Sequence, residues 1–252
     1  ETSNKNHRPV IVGGQGLQNL FFELRVPFES EQAKQINSKL YETIQYHSLK
    51  KSCELAKIHG PYSSFEGSPA SKGIFQHNMW GISNESLKNY DWEALKEQVM
   101  EFGLRNSMLT ATPPTASTSQ VLGNLESMEP ITNNFMTRNT LSGDFPIINK
   151  YLVNDLIKLN LWDTKMKDRI LHSQGSIQDI QEIPDDLKKL YKTVWEMKQK
   201  SLIDHSLARA SYIDQSQSLN LYFETGDFKK IYNSHMYGWE SGLKTGLYYL
   251  RT

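Results

Sequence analysis

The chain has 252 residues, and its 28 Lys and Arg residues balance its 28 Asp and Glu residues. Balanced charge provides no basic field to favour nucleic acid, and no apolar run reaches the length of a membrane span. One cysteine excludes an internal disulfide and suits a reducing compartment, and no signal peptide opens the chain. We therefore expect a cytoplasmic globular protein whose partners include neither nucleic acid nor a membrane.

Helical signals dominate the first hundred residues. A short helix is predicted over 15–24, and a long helix starts after the N-cap Ser30 and ends at Gly60-Pro61. The stretch 62–82 is rich in Ser, Gly and aromatic residues without periodicity, which is typical of an ordered loop. An amphipathic helix is predicted over 91–102.

The stretch 104–129 organises the chain. A strand predicted over 107–111 runs into Pro113-Pro114, and four hydroxyl residues follow before a helix start at 121–122. The backbone N–H groups of such a turn have no partner within the helix, and hydroxyls add donors without bulk, so the loop suits an anion. The alternative is a polar loop whose hydroxyls only cap a helix, because the glycines and lysine of a P-loop are missing.

Helices and single strands alternate over the second half. Strands are predicted over 132–140, 210–219 and 247–250, with a turn at 141–144, and helices over 149–160, 164–172, 185–208 and 227–242. Tandem hairpin signals are lacking. The pattern indicates an α/β fold with largely parallel strands.

Few other residues suggest chemistry. The seven histidines have no metal-ligand spacing, so we predict no metal site. Tyr248-Tyr249 is a candidate functional pair, although two strand aromatics more often pack a core. Adjacent strand residues point to opposite faces, so two rings on one path require a departure from a regular strand. The strand around Asp214 alternates polar and apolar residues, which predicts either a wet rim or a structural hydrogen-bond network.

Several long strings of residues resemble the large subunit of class I ribonucleotide reductase, eukaryotic or viral type. In chain order they are HRP at 7–9, QGL at 15–17, EGSP at 66–69, PPTASTSQVLGN at 113–124, IDQSQSLN at 213–220 and GLKTGLYYLR at 242–251. The match runs essentially end to end. The chain opens on Glu1 rather than on methionine, so we expect a piece of a longer protein.

The resemblance implies part of a ten-stranded α/β barrel, with 1–252 as a single, incomplete domain from the C-terminal portion of the catalytic barrel. It implies that the whole enzyme reduces ribonucleoside diphosphates by a radical mechanism. The residues that would hold the substrate diphosphate are Pro114, Thr115, Ala116, Ser117 and Thr118. Tyr248 and Tyr249 would relay the radical from the small subunit, whose C-terminal tail docks near the helix at 227–242.

The resemblance also implies what lies outside this chain. The radical cofactor belongs to the small subunit, and the ATP and dNTP effector sites belong to the missing N-terminal part of the large subunit, so we expect no cofactor here. The family's chemistry needs several cysteines, whereas Cys53 matches a structural helix. The isolated chain is therefore expected to be inactive. The alternative is a truncated or split-gene product that serves as a non-catalytic binding or assembly module.

Overall fold

A computed structural model of the chain describes residues 1–140 and 143–252. Its α-helices are α1 (Thr2–His7), α2 (Leu17–Glu23), α3 (Glu31–His59), α4 (Gln76–Met79), α5 (Trp92–Phe102), α6 (Thr118–Leu122), α7 (Lys150–Lys158), α8 (Thr164–His172), α9 (Asp185–Leu190), α10 (Gln199–Ala210) and α11 (Phe228–Glu240). Its strands are β1 (Phe135–Thr140), β2 (Gly143–Ile148), β3 (Asn220–Tyr222) and β4 (Tyr249–Arg251). Short 3₁₀ helices cover Ala70–Lys72, Asn84–Ser86 and Val194–Glu196.

The helices that carry clear end signals form where the sequence predicts them. The hydroxyl of Ser30 accepts the backbone N–H of Ala33 at 3.1 Å and begins α3, which ends at Gly60. The carboxylate of Asp91 accepts the N–H of Ala94 at 2.9 Å and begins α5. Predicted helices at 15–24, 149–160, 164–172 and 227–242 are confirmed as α2, α7, α8 and α11. A capping side chain begins each of these helices except α2, which starts after Gly16 without one.

The single helix predicted over 185–208 is wrong. The chain forms α9, then the 3₁₀ helix Val194–Glu196, then α10. The Glu196 carboxylate accepts the backbone N–H of Thr193 at 2.7 Å, and Val194 donates its N–H to the carbonyl of Ile131 at 2.8 Å. These bonds interrupt the helix because they engage backbone groups that a continuous helix would pair internally.

The predicted strands are only partly correct. The stretch 107–111 forms isolated parallel bridges, Val12 with Thr110 and Thr112 with Gln217, rather than a full strand. The strand predicted over 210–219 is wrong, because Ala210 ends α10, a turn follows, Gln217 forms only an isolated bridge, and β3 begins at Asn220. β3 pairs with β4 in parallel. Extended segments near 10–12, 109–112, 217–222 and 249–251 thus lie side by side in parallel order.

The strand predicted over 132–140 is confirmed in part as β1, whereas its antiparallel pairing with β2 is not predicted by the sequence. Of the turn predicted at 141–144, residues 141–142 lie outside the described part, and Gly143 and Asp144 begin β2. The sequence lacks a strand signal for β2 because most of its residues are exposed, and because Pro146 normally argues against a strand.

Three clusters of buried apolar side chains support these elements. One joins α2, α3 and α10 to β3, the second surrounds α7, α8 and α9, and the third packs α3 against α5. The long helix α3 contributes to two of them, so it connects both ends of the chain. None of the described helices is long and apolar enough to cross a membrane.

Candidate functional site

The loop before α6 presents unpaired backbone donors. Thr115 adopts a left-handed φ of +54°, which is uncommon for a β-branched residue, and α6 begins three residues later. Within the described residues, the backbone N–H groups of Ala116, Ser117 and Thr118 donate no hydrogen bond, and all three residues are exposed. Successive free N–H groups of this kind form a concave site for an anion.

The loop hydroxyls are not equivalent. They belong to Thr115, Ser117, Thr118 and Ser119. Thr115 accepts the backbone N–H of Ser127 at 2.8 Å, Thr118 donates to the side-chain oxygen of Gln15 at 3.0 Å, and Ser119 is buried. Ser117 makes no side-chain hydrogen bond to any described residue. Of the four loop hydroxyls, that of Ser117 is therefore the most available to donate to an anion. The sequence suggested that all four could act as donors, and the structure favours Ser117.

The segment 15–19 contacts the loop and α6 through side-chain hydrogen bonds. Gln15 donates to the Asn124 side chain at 3.0 Å, and Asn19 accepts the N–H of Leu125 at 2.7 Å. Gly16 has a φ of +77°, and a side chain there would crowd both Asn19 and Asn124. Glycine therefore permits the close approach. The sequence predicts residues 15–17 as the start of a helix and as part of a resemblance, but it contains no signal for these contacts with the loop.

Tyr248 and Tyr249 lie in contact. Their ring centroids are 4.4 Å apart with an interplanar angle of 62°, and both rings are about half exposed. Tyr248 precedes β4 and donates its N–H to the Leu219 carbonyl at 2.7 Å, whereas Tyr249 donates its N–H to the Asn220 side chain at 3.1 Å. The backbone thus departs from regular strand geometry, as adjacent rings on one path require.

Contacts with Tyr249 and with Arg251 define the environment of the two tyrosine rings. A hydrogen bond with Tyr249, reinforced by the charge interaction between the two phenols, raises the pKa of Tyr248. The Arg251 guanidinium lies 4.7 Å from the Tyr249 ring centroid, within cation–π range. The raised pKa keeps the Tyr248 phenol neutral at physiological pH.

Hydrogen bonds around Asp214 form a junction between the extended segment at 109–112, which leads into the loop, and the segment that leads to Tyr248 and Tyr249. The partly buried Asp214 carboxylate accepts the backbone N–H groups of Leu109 at 2.7 Å and Thr110 at 3.2 Å. The Lys244 ammonium donates to the carbonyls of Ile213 at 2.7 Å and Asp214 at 2.8 Å. Burial raises the pKa of Asp214 and lowers the pKa of Lys244. Of the two alternatives for the alternating stretch, this geometry favours the structural network.

Two other titratable side chains, Glu129 and Cys53, have raised pKa values and belong to neither the loop nor the tyrosine pair. Burial raises the pKa of Glu129 to about 7, and its carboxylate lies 3.4 Å from both the Asn220 nitrogen and the Tyr222 hydroxyl. Cys53 is buried in α3, donates to the Gln98 carbonyl at 3.4 Å, and has its pKa raised by burial. No group of three His, Cys, Asp or Glu residues suitable for a metal occurs in the described part of the chain.

Comparisons with known proteins identify the family. A family model described as the barrel domain of ribonucleotide reductase matches residues 1–249. The chain belongs to this family. Its fold is accordingly of the α/β-barrel type, although the described residues form no closed sheet.

Relatives of this ribonucleotide reductase barrel segment match it end to end. It is 54% identical to a ribonucleoside-diphosphate reductase large subunit from Plasmodium falciparum over 100% of the chain, and 51% identical to one from Danio rerio over 100%. It covers 31% and 32% of those proteins. A solved class Id ribonucleotide reductase alpha subunit from Actinobacillus ureae superposes with a TM-score of 0.76 at 27% identity, covering 98% of this chain and 39% of that one.

Proposed function

We propose that the chain is the C-terminal portion of the catalytic barrel of a ribonucleoside-diphosphate reductase large subunit, acting in the cytoplasm. In the whole protein it would help to reduce ribonucleoside diphosphates to deoxyribonucleoside diphosphates. Residues 1–252 would then form one incomplete domain of a ten-stranded barrel. The end-to-end match to relatives named as this enzyme's large subunit supports the proposal.

The loop from Pro114 to Thr118 would bind the substrate diphosphate. The single observation that carries this role is the run of three exposed, unpaired N–H groups at 116–118, beside the free hydroxyl of Ser117. Hydrogen bonds to a charged oxygen contribute about 1.5–3 kcal/mol each, so a few such donors suffice to hold a phosphate group. The prolines keep the loop out of a helix, and the N–H groups consequently remain available.

Tyr248 and Tyr249 would relay a radical that originates in the small subunit. Ring contact with centroids 4.4 Å apart supports transfer of an electron and a proton from one side chain to the other. Each step removes one electron and one proton from a phenol and returns both to the preceding radical. The partner small subunit holds the radical cofactor, and the effector nucleotides bind the missing N-terminal part.

The number of thiols supports a division of labour between parts of the protein. The only cysteine, Cys53, is buried in a helix, so this chain cannot supply the dithiol that reduces the ribose. The same observation favours the alternative, in which the chain is a non-catalytic binding or assembly module that completes another chain. An upstream reading frame that encodes the missing cysteines would support the enzyme segment, and its absence would favour the module.

Kinetics of loop variants test the proposed function. The assay uses the full-length large subunit with its small subunit, carrying Ser117→Ala alone or together with Thr118→Ala. The double variant should lower kcat/KM for a ribonucleoside diphosphate at least about tenfold, because it removes both the charge-assisted bond from the Ser117 hydroxyl to phosphate and the Thr118 hydroxyl that anchors the loop to Gln15. Unchanged kinetics would refute the substrate role of the loop.

A further inference from the structure

We propose that Gln15 is a positioning residue, which holds the substrate loop in the shape that exposes its N–H groups. The inference rests on the proposed function of that loop and adds a residue about a hundred positions away in sequence. Gln15 does not belong to the loop, and it acts through two side chains that flank α6.

The side-chain amide of Gln15 forms hydrogen bonds at both ends of α6, the short helix that follows the loop. The Oε1 atom of Gln15 accepts the Thr118 hydroxyl at 3.0 Å, and its Nε2 atom donates to Asn124 at 3.0 Å. Thr118 is the first residue of α6, and Asn124 follows Gly123, the residue that ends it. Because a five-residue helix has little stability of its own, tertiary bonds at both ends are needed to fix it.

The bond also determines what the loop offers to an anion. The Thr118 hydroxyl has one proton, and the 3.0 Å contact directs it to Gln15, while the alternative acceptor, the Thr115 carbonyl, is more distant at 3.4 Å. Thr118 therefore contributes its backbone N–H to the exposed site, and its side chain serves as an anchor. Ser117 remains the residue with a free hydroxyl.

The neighbouring residues make this bridge possible. Gly16 has a positive φ, and a Cβ atom at this position would lie 3.2 Å from the Asn124 Cβ atom and from Asn19 Oδ1. The backbone N–H of Gly16 donates to the Ser127 carbonyl at 2.9 Å, beyond the far end of α6. The 15–19 segment therefore lies directly against the loop, and Gln15 is the member that bonds to both flanks of the helix.

A double-mutant cycle in the full-length large subunit, assayed with its small subunit, tests the inference. Gln15→Met keeps the side-chain length but removes both bonds, and Thr118→Val removes the hydroxyl with little change in shape. Gln15→Met removes two neutral hydrogen bonds and should raise KM for a ribonucleoside diphosphate about tenfold, whereas Thr118→Val removes one and should raise it about fivefold; kcat should stay within about twofold in both. The double variant should be no worse than the more impaired single variant, because both changes break the same contact.

Controls separate positioning from general stability and from the proposed function. Gln181→Met repeats the substitution at an exposed site and should leave KM and the melting temperature unchanged. Multiplying effects in the double variant, or unchanged KM in Gln15→Met when Ser117→Ala raises KM, would overturn the role of Gln15. If Gln15→Met and Ser117→Ala both leave KM unchanged, the substrate loop itself is wrongly assigned. If Gln15→Met does not fold, a wild-type KM in Thr118→Val overturns the inference.

Discussion

The carboxylate of Asp214 accepts the backbone N–H of Leu109 at 2.7 Å, and this bond joins two parts of the chain that the proposed chemistry needs together. Leu109 lies on the extended segment that leads into the loop at 114–118. The backbone at Asp214 is held in turn by Lys244, four residues before the tyrosine pair. The loop at 114–118 and the tyrosine pair are thus anchored to the same junction.

Loss of the Asp214 carboxylate should destabilise the protein. Asp214→Ala leaves the N–H groups of Leu109 and Thr110 buried without an acceptor, at a cost of about 1–3 kcal/mol. Thermal unfolding of the full-length subunit measures the loss. Asp179→Ala, at an exposed position, is the control and should leave the melting temperature unchanged. Equal melting temperatures for the two variants would show that the junction contributes nothing to stability.

His205 should make the stability depend on pH. Burial lowers the pKa of His205 from 6.5 to about 4, and its Nε2 lies 2.7 Å from the Phe28 carbonyl. Because the unfolded state binds the proton more readily between these values, stability is complete above about pH 6.5 and is lost as the pH falls towards 4. The loss attributable to this group is roughly 3 kcal/mol.

Melting curves of wild type and His205→Gln between pH 4 and pH 7 isolate this effect, since glutamine can still donate to Phe28 but does not titrate in that range. The difference in stability between the two proteins should shrink as the pH falls. Parallel profiles would contradict a neutral, buried His205. Glu129, whose pKa is raised to about 7, titrates identically in both proteins and cancels from the comparison.

The sequence predicts those parts of the fold whose signals are local. Ser30 and Gly60 fix the ends of α3 by capping and by a positive φ, and both signals are visible in the sequence. The break between α9 and α10 depends on Val194 bonding to Ile131, a tertiary contact that periodicity does not encode. The β1–β2 hairpin is likewise unmarked, because its second strand is largely exposed.

The features of the candidate site likewise divide into those that local sequence signals predict and those that depend on tertiary contacts. The hydroxyl run and the prolines of the loop fit either an anion site or a polar loop that caps a helix, and the resemblance to the family selects the anion site. The bond from Thr118 to Gln15 joins residues 103 positions apart, so only the folded chain shows which hydroxyl is engaged. The alternating pattern around Asp214 indicates a polar face, but its partners Leu109 and Lys244 come from other segments.

The segment on its own should not reduce nucleotides. Its only thiol, Cys53, is buried in α3 and has a raised pKa, so it is a poor nucleophile and has no partner thiol in the chain. The purified segment, incubated with small subunit, dithiol reductant and a ribonucleoside diphosphate, should form no deoxynucleotide above background. Stoichiometric product would require a different radical carrier and would refute the division of labour proposed here.

The tyrosine pair provides the most direct test of the central claim, which is that this chain carries the radical relay of a ribonucleotide reductase. In the full-length subunit, Tyr248→Phe and Tyr249→Phe keep the ring volume but remove the oxidisable phenol. Melting temperature and nucleotide binding should stay close to wild type, because both rings are half exposed and a lost hydrogen bond costs only about 1 kcal/mol. Tyr46→Phe is the matched control, since the Tyr46 hydroxyl makes only a long 3.4 Å bond to a backbone carbonyl.

The decisive measurement is turnover of a ribonucleoside diphosphate by these three variants with the small subunit. The relay predicts background turnover for Tyr248→Phe and for Tyr249→Phe, with wild-type turnover for Tyr46→Phe. Retention of more than a few per cent of turnover in both Tyr248→Phe and Tyr249→Phe would contradict the relay.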